Sequence, residues 1–347
     1  MLTFYNEVHG QHRGRFEMFR GEMVPCFEKP ERADMVVAEL ARRNLGRIVT
    51  PHGVPLMSLE RIHTPRYLHF LRHAWADWLA LDPANAGKDA FPSVWPVRTL
   101  RDDIEPDNFC AKLGLYSMDN GTPLTAGTWI AAKTGADCAV NAAHALRLGE
   151  RATFALTRPP GHHAGADFFG GYCFLNNAAL AAQHLLDDGA RKVVVLDLDY
   201  HHGNGTQSIF YQRNDVQFIS IHADPRSEYP FYLGHADETG AGPGLGYNMN
   251  LPLPAGTAAP AWFAALETAC IRIGSYGPDA LVVSLGVDTF VGDPLSHFAL
   301  HSADFLRVGE RLAWLGLPTA FVFEGGYAVK EIGVNVVNVL EGFETAQ

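Results

Sequence analysis

Cysteine is scarce in this chain: Cys26, Cys110, Cys138, Cys173 and Cys270 are odd in number, scattered, and contain no C-x-x-C pair. That excludes a disulfide framework and a structural zinc knuckle, and it fits a reducing cytoplasm. Long hydrophobic runs are missing too. No stretch approaches the roughly eighteen apolar residues of a membrane span, and MLTFYNEVHG opens the chain without the apolar core of a secretion signal. Basic charge is in deficit: 27 Lys and Arg face 38 Asp and Glu, a net charge of −11. With no basic tract, nucleic acid is not an expected partner, nor is a membrane, whereas cationic ligands are compatible. No internal repeat or low-complexity segment is found.

What is present is a large core-forming composition, 47% hydrophobic over 347 residues. Length alone allows one or two domains; the pattern argues for one, spanning 1–347. Short apolar runs appear at LTFYN (2–6), ATFAL (152–156), KVVVLDLD (192–199), VQFISIH (216–222), ALVVSLGVD (280–288) and TAFVFEGGY (319–327). Helical spacing fills 28–44, a segment capped by Thr64-Pro65, 125–148, 176–188, 205–213, 258–275, 302–315 and 330–341. Continuous β-branched runs alternating with helices predict an α/β domain, a mainly parallel sheet with helices on both faces. Residues 82–124 differ. They are rich in proline, carry the acidic run DDIEPD, and show no clear periodicity, so they are expected to form a long functional loop insertion.

In open α/β sheets the ligand site lies beyond the carboxyl ends of the strands. After the apolar runs come His162 and His163; Asp197, Asp199, His201 and His202; Asp288; and Glu324, two glycines and Tyr327. Any one of these is ordinary strand-end polarity, but four strands supplying such residues to one edge point to chemistry. Asp197, Asp199 and His201 alternate, so an extended chain places them on one face. Acidic residues gathered there repel unless a cation compensates. One His with two carboxylates, Asp288 being the third ligand, leaves coordination positions open, as catalytic zinc or another divalent transition metal requires. The run H-H-G-N-G lacks P-loop or dinucleotide spacing and is set aside.

R-P-P-G-H-H-A (158–164), D-L-D-Y-H-H-G-N-G-T (197–206), S-L-G-V-D (284–288) and E-G-G-Y (324–327) resemble the histone deacetylase superfamily, and most closely its bacterial acetylpolyamine amidohydrolase branch. The resemblance covers essentially the whole chain. It implies an arginase/deacetylase fold, Zn²⁺ (Fe²⁺ being the other candidate) at Asp199, His201 and Asp288, a catalytic pair His162 and His163, and Tyr327 as oxyanion donor. It assigns Asp197 to His162 and to a structural K⁺ site shared with Ser220, and Asn204 to the support of His163. Some relatives carry Asp where Asn204 stands; a neutral amide raises an imidazole pKa less than a carboxylate does, so His163 is expected to be a free base near neutral pH.

For the substrate, the resemblance places Tyr172 and Tyr229 along the channel and Glu17 at a cation-recognising position. Cys110 and Gly121 stand where the insertion of relatives has acids, with Asp107 and Asp119 close by. It also implies a homodimer built through the 82–124 loop. The expected activity is hydrolytic deacetylation of small acetylated amines such as acetylcadaverine, acetylputrescine or acetylspermidine. A protein acetyl-lysine deacetylase and a non-catalytic binding protein are the alternatives, the second disfavoured by the intact His/Asp/Tyr set.

Overall fold

The computed structural model describes residues 1–346. Ten strands form: β1 Leu2–Tyr5, β2 Phe16–Phe19, β3 Glu22–Pro25, β4 Arg47–Val49, β5 Ala152–Leu156, β6 Val193–Asp197, β7 Val216–Ala223, β8 Asn248–Leu253, β9 Ala280–Leu285 and β10 Thr319–Phe323. Eight of them make one sheet in the order β4-β1-β5-β10-β9-β6-β7-β8, and every pairing in it is parallel. The expected α/β architecture is therefore the observed one.

The central strands read as unbroken apolar runs because successive side chains feed two different cores. On β10, Ala320 and Val322 face the core built with helices Pro65–Leu81, Thr128–Arg147 and Asn177–Asp187. Phe321 and Phe323 face the opposite core, built with helices Glu31–Arg43, Ala259–Tyr276, Ser302–Ala313 and Ile332–Thr345. Val193 and Val194 of β6, like Val282 and Val283 of β9, split the same way. A sheet buried on both faces needs this pattern. Phe321 is fully buried; its burial contributes about 2–3 kcal/mol, and truncation to alanine would cost about 3–5 kcal/mol.

Four strands escape the sequence pattern. The edge strand β4 has only three residues, and the other edge strand, β8, carries Asn248, Asn250 and Pro252 in place of an apolar run. The hairpin β2–β3 turns at Arg20 and Gly21, both in the left-handed region (φ 51° and 87°), a two-residue geometry suited to strand twist. The 82–124 insertion is also more ordered than its composition suggests. It holds a 3₁₀ turn at Pro83–Gly87 and a helix at Phe109–Leu115, capped by the Asn108 side chain, and its ends are joined by backbone bonds between Ala90 and Leu124.

Candidate active site

Strands β5, β10, β9 and β6 are contiguous and parallel, so their carboxyl ends open at one edge of the sheet. The four motifs that follow them are thereby brought together. Asp199, His201 and Asp288 place their donor atoms within 4.8 Å of one another. His201 Nδ1 lies 3.3 Å from Asp199 Oδ1 and 3.2 Å from Asp288 Oδ2. The remaining carboxylate oxygens are held by backbone donors: Gly325 N–H to Asp199 Oδ2 at 2.7 Å, Tyr200 N–H to Asp288 Oδ1 at 2.8 Å. A side chain at 325 would collide with both carboxylates, so glycine is required there. Burial and the Asp199 charge push the Asp288 carboxyl up to about 7. Two buried carboxylates and one imidazole at such spacing, with one oxygen of Asp288 pinned and the other turned to His201, fit a divalent cation with nitrogen and oxygen ligands.

The two adjacent histidines have opposite electrostatics. His162 Nδ1 is 3.0 Å from Asp197 Oδ2, and its Nε2 is 3.7 Å from Asp199. Burial opposes its charged form, but Asp199 and Asp197 outweigh burial and raise its pKa to about 10. His163 Nδ1 is 2.6 Å from Asn204 Oδ1. Its pKa falls well below 6.5, chiefly through burial and then through the charge on His162, whose ring centroid is 4.0 Å away. The expected free base is thus favoured more by burial than by the choice of Asn at 204. The Pro-Gly turn carrying the pair is fixed by Glu324, whose Oε2 accepts the Gly161 N–H at 2.6 Å and the His162 N–H at 3.1 Å.

Tyr327 is held by residues that sequence reasoning missed. Asp293 Oδ2 accepts the backbone N–H groups of Tyr327 (2.6 Å) and Ala328 (3.1 Å). The buried Arg32 guanidinium donates to the carbonyls of Gly326, at 2.6 Å, and Glu324, and lies 4.8 Å from the Tyr327 ring centre. Arg32 in turn pairs with Glu28 at 2.9 Å, which also holds Arg158 at 2.8 Å. The only signal for Asp293 was a Gly-Asp-Pro turn downstream of Asp288; Arg32 and Glu28 gave none. Burial keeps the Tyr327 hydroxyl well above its usual pKa of 10 and hence protonated.

Tyr172 and Tyr229 flank this centre. The Tyr172 ring packs 5.7 Å from Tyr327, and the Tyr229 ring meets His163 edge-on at 5.0 Å. Each tyrosine hydroxyl donates to an acid at 2.7 Å, Tyr172 to Glu17 and Tyr229 to Asp119. Glu17, from β2, is buried behind Tyr172, and burial pushes its carboxyl up to about 7. Gly171 approaches the His163 ring so closely that a Cβ would collide with it, and both Gly171 and Tyr172 take positive φ (54° and 66°), a constraint typical of a functional turn. Asp107 is not among these contacts. Asp197 and Ser220 are fully buried register partners on β6 and β7.

The histone deacetylase domain pattern matches residues 26–343. Two Pseudomonas aeruginosa proteins, acetylpolyamine amidohydrolase 2 and acetylpolyamine amidohydrolase 1, are each 54% identical, over 99% and 100% of this chain and 99% of their own lengths. The crystal structure of an acetylpolyamine aminohydrolase from Burkholderia pseudomallei superposes with a TM-score of 0.94 at 39% identity, covering 99% of both chains.

Proposed function

The chain belongs to the histone deacetylase family, and on that premise we propose that it is an acetylpolyamine amidohydrolase, a metal-dependent hydrolase that removes acetyl groups from small N-acetylated amines. One arrangement carries the chemistry: His162, paired with Asp197, sets its Nε2 3.7 Å from Asp199; His163, paired with Asn204, lies 6.1 Å from His201 between ring centres; and Tyr327 closely follows Gly325, whose N–H binds Asp199. Asp199, His201 and Asp288 would hold Zn²⁺, with Fe²⁺ the other candidate; when bound, such an ion polarises an amide carbonyl and acidifies water. His163 takes the proton of the attacking water and returns it to the leaving amine. His162, charged beside Asp197, stabilises the negative charge developing on the carbonyl oxygen, and Tyr327 donates a hydrogen bond to that oxygen. Asn204 keeps the His163 ring oriented.

A structural K⁺ ion at Asp197 and Ser220 belongs to the same reading. It is supported by Ser284, the register partner of Asp197 on β9, whose buried Oγ has no hydrogen-bond partner and is suited to an oxygen-seeking cation. Tyr172 and Tyr229, each backed by an acid, suit an aliphatic stem ending in an ammonium. A homodimer through the 82–124 insertion is supported by the apolar side chains it turns outward. Among the described residues no helix is long and apolar enough to cross a membrane. A cytoplasmic location is supported by the free cysteines.

The deciding measurement sets kcat/KM for acetylcadaverine, acetylputrescine and acetylspermidine beside that for an acetyl-lysine peptide, using metal-loaded protein. The small amines are expected to be preferred by at least tenfold. Preference for the peptide would make the chain a protein deacetylase instead.

A further inference from the structure

A second imidazole–carboxylate cluster lies away from the sheet edge. His144 stands in the last turn of helix Thr128–Arg147, His184 in the last turn of helix Asn177–Asp187, and Asp188 follows directly as its cap. The two helices pack on the same face of the sheet. Asp188 Oδ2 lies 3.2 Å from His144 Nδ1 and 3.3 Å from His184 Nε2, and all three donor atoms fall within 4.8 Å of one another. These are the separations found among Asp199, His201 and Asp288. Ligands arranged tetrahedrally about an ion at about 2.0–2.1 Å are about 3.3–3.4 Å apart. The surface cluster already has ligand spacing.

Spacing alone also describes a surface ion pair, so other features must discriminate. His184 Nε2 is shut off from solvent yet makes no hydrogen bond, although the Asp188 oxygen is only 3.3 Å away. A ring nitrogen beside a carboxylate but unsatisfied by it is what two ligands turned towards a shared third partner leave behind. The adjacent Asp187 does not compete, being engaged by Arg61 and Gln183. His144 is 54% exposed, which leaves an open side for solvent ligands. Both helices also end here, and a cation at two helix C-termini is favoured by their dipoles.

We propose that His144, His184 and Asp188 form a second divalent transition-metal site, separate from the active-site cluster, where an ion such as Zn²⁺ or Ni²⁺ staples the ends of the two helices. Nitrogen and carboxylate ligands without thiolate select this class of ion over Ca²⁺ or Mg²⁺.

The test compares Zn²⁺ bound per chain, by equilibrium dialysis and elemental analysis, in wild type and in His144→Ala/His184→Ala. The double variant should bind one ion fewer, with unchanged turnover. Ni²⁺ should raise the Tm of wild type more than that of the double variant, since an ion bound only to the folded chain stabilises it and the active-site cluster is common to both proteins. If the double variant misfolds, His144→Ala alone decides the matter, because that side chain is largely exposed; it should lower Zn²⁺ affinity for one ion by at least tenfold. Equal ion counts in wild type and variant, or an undiminished Ni²⁺ shift, overturn the proposal. Because the readout is a difference between proteins sharing the same active site, it stands or falls apart from the deacetylase assignment.

Discussion

The Tyr229 hydroxyl donates to Asp119 Oδ2 at 2.7 Å, and the same oxygen accepts the Gly171 N–H at 2.6 Å. One carboxylate from the insertion therefore fixes both walls of the site: the Tyr229 ring lies against His163, and Gly171 precedes Tyr172. Asp119 thus ties the insertion directly to the centre.

Replacing Asp119 with alanine leaves a phenol and a backbone N–H without their acceptor, a loss of about 1–3 kcal/mol. We expect kcat/KM on acetylated diamines to fall about tenfold or more, with metal content unchanged. Asp119→Asn keeps one acceptor oxygen and should lie between. An unaltered rate in Asp119→Ala would mean that the tyrosines hold their places without it.

The His163–Asn204 contact predicts a pH effect. Burial and the His162 charge keep the His163 pKa well below 6.5, and a base works only when unprotonated. The acidic limb of kcat/KM should therefore lie below pH 6.5. Asn204→Asp puts an anion on Nδ1, favours the imidazolium and raises the pKa, so the limb should move to higher pH by about one unit or more. A limb that stays in place would belong to some group other than His163.

Ligand and donor roles separate by substitution. Asp288→Ala leaves two protein ligands and should lose both metal and activity. Tyr327→Phe should keep metal and fold while turnover falls on the order of 10²–10³, the usual effect of removing one oxyanion donor. Near-wild-type turnover in the tyrosine variant would rule out its proposed role.

How much of this was legible follows from where each residue acts. Val193–Asp197 and Thr319–Phe323 read as buried parallel strands because two-sided burial leaves unbroken apolar runs, and a parallel sheet then carries the residues after them to one edge. His162, Asp199, Asp288 and Tyr327 came together for that reason. Strands β4 and β8 sit at the sheet's edges, one too short and the other too polar to leave a run. Arg32 reaches the carbonyls of Glu324 and Gly326 across some 290 positions, and backbone carbonyls write nothing into the sequence. Asp293 likewise acts on N–H groups. Residues that position chemistry through the main chain are invisible to motif spacing.

The insertion supplies the last prediction. Trp95 Nε1 donates to Ser117 at 3.0 Å, and a Cβ on Gly114 would collide with the Val94 carbonyl, so the segment is packed against itself. Val94, Val97, Leu100 and Ile104 nevertheless remain 51–58% exposed. A folded segment that presents apolar side chains in succession marks an interaction surface, and the partner expected here is a second copy of the chain. Val97→Asp/Leu100→Asp should shift the protein towards monomer in sedimentation velocity without unfolding it, since neither side chain is buried. Shortening the insertion with a Gly/Ser linker should go further. It should weaken the dimer, lower turnover of acetylated diamines, and raise relative activity on acetyl-lysine peptides, because the steric exclusion that rejects a peptide is removed. An unchanged dimer with unchanged substrate preference would show that the insertion neither mediates assembly nor narrows the entrance, and selectivity would then rest on Tyr172, Tyr229 and their two acids alone.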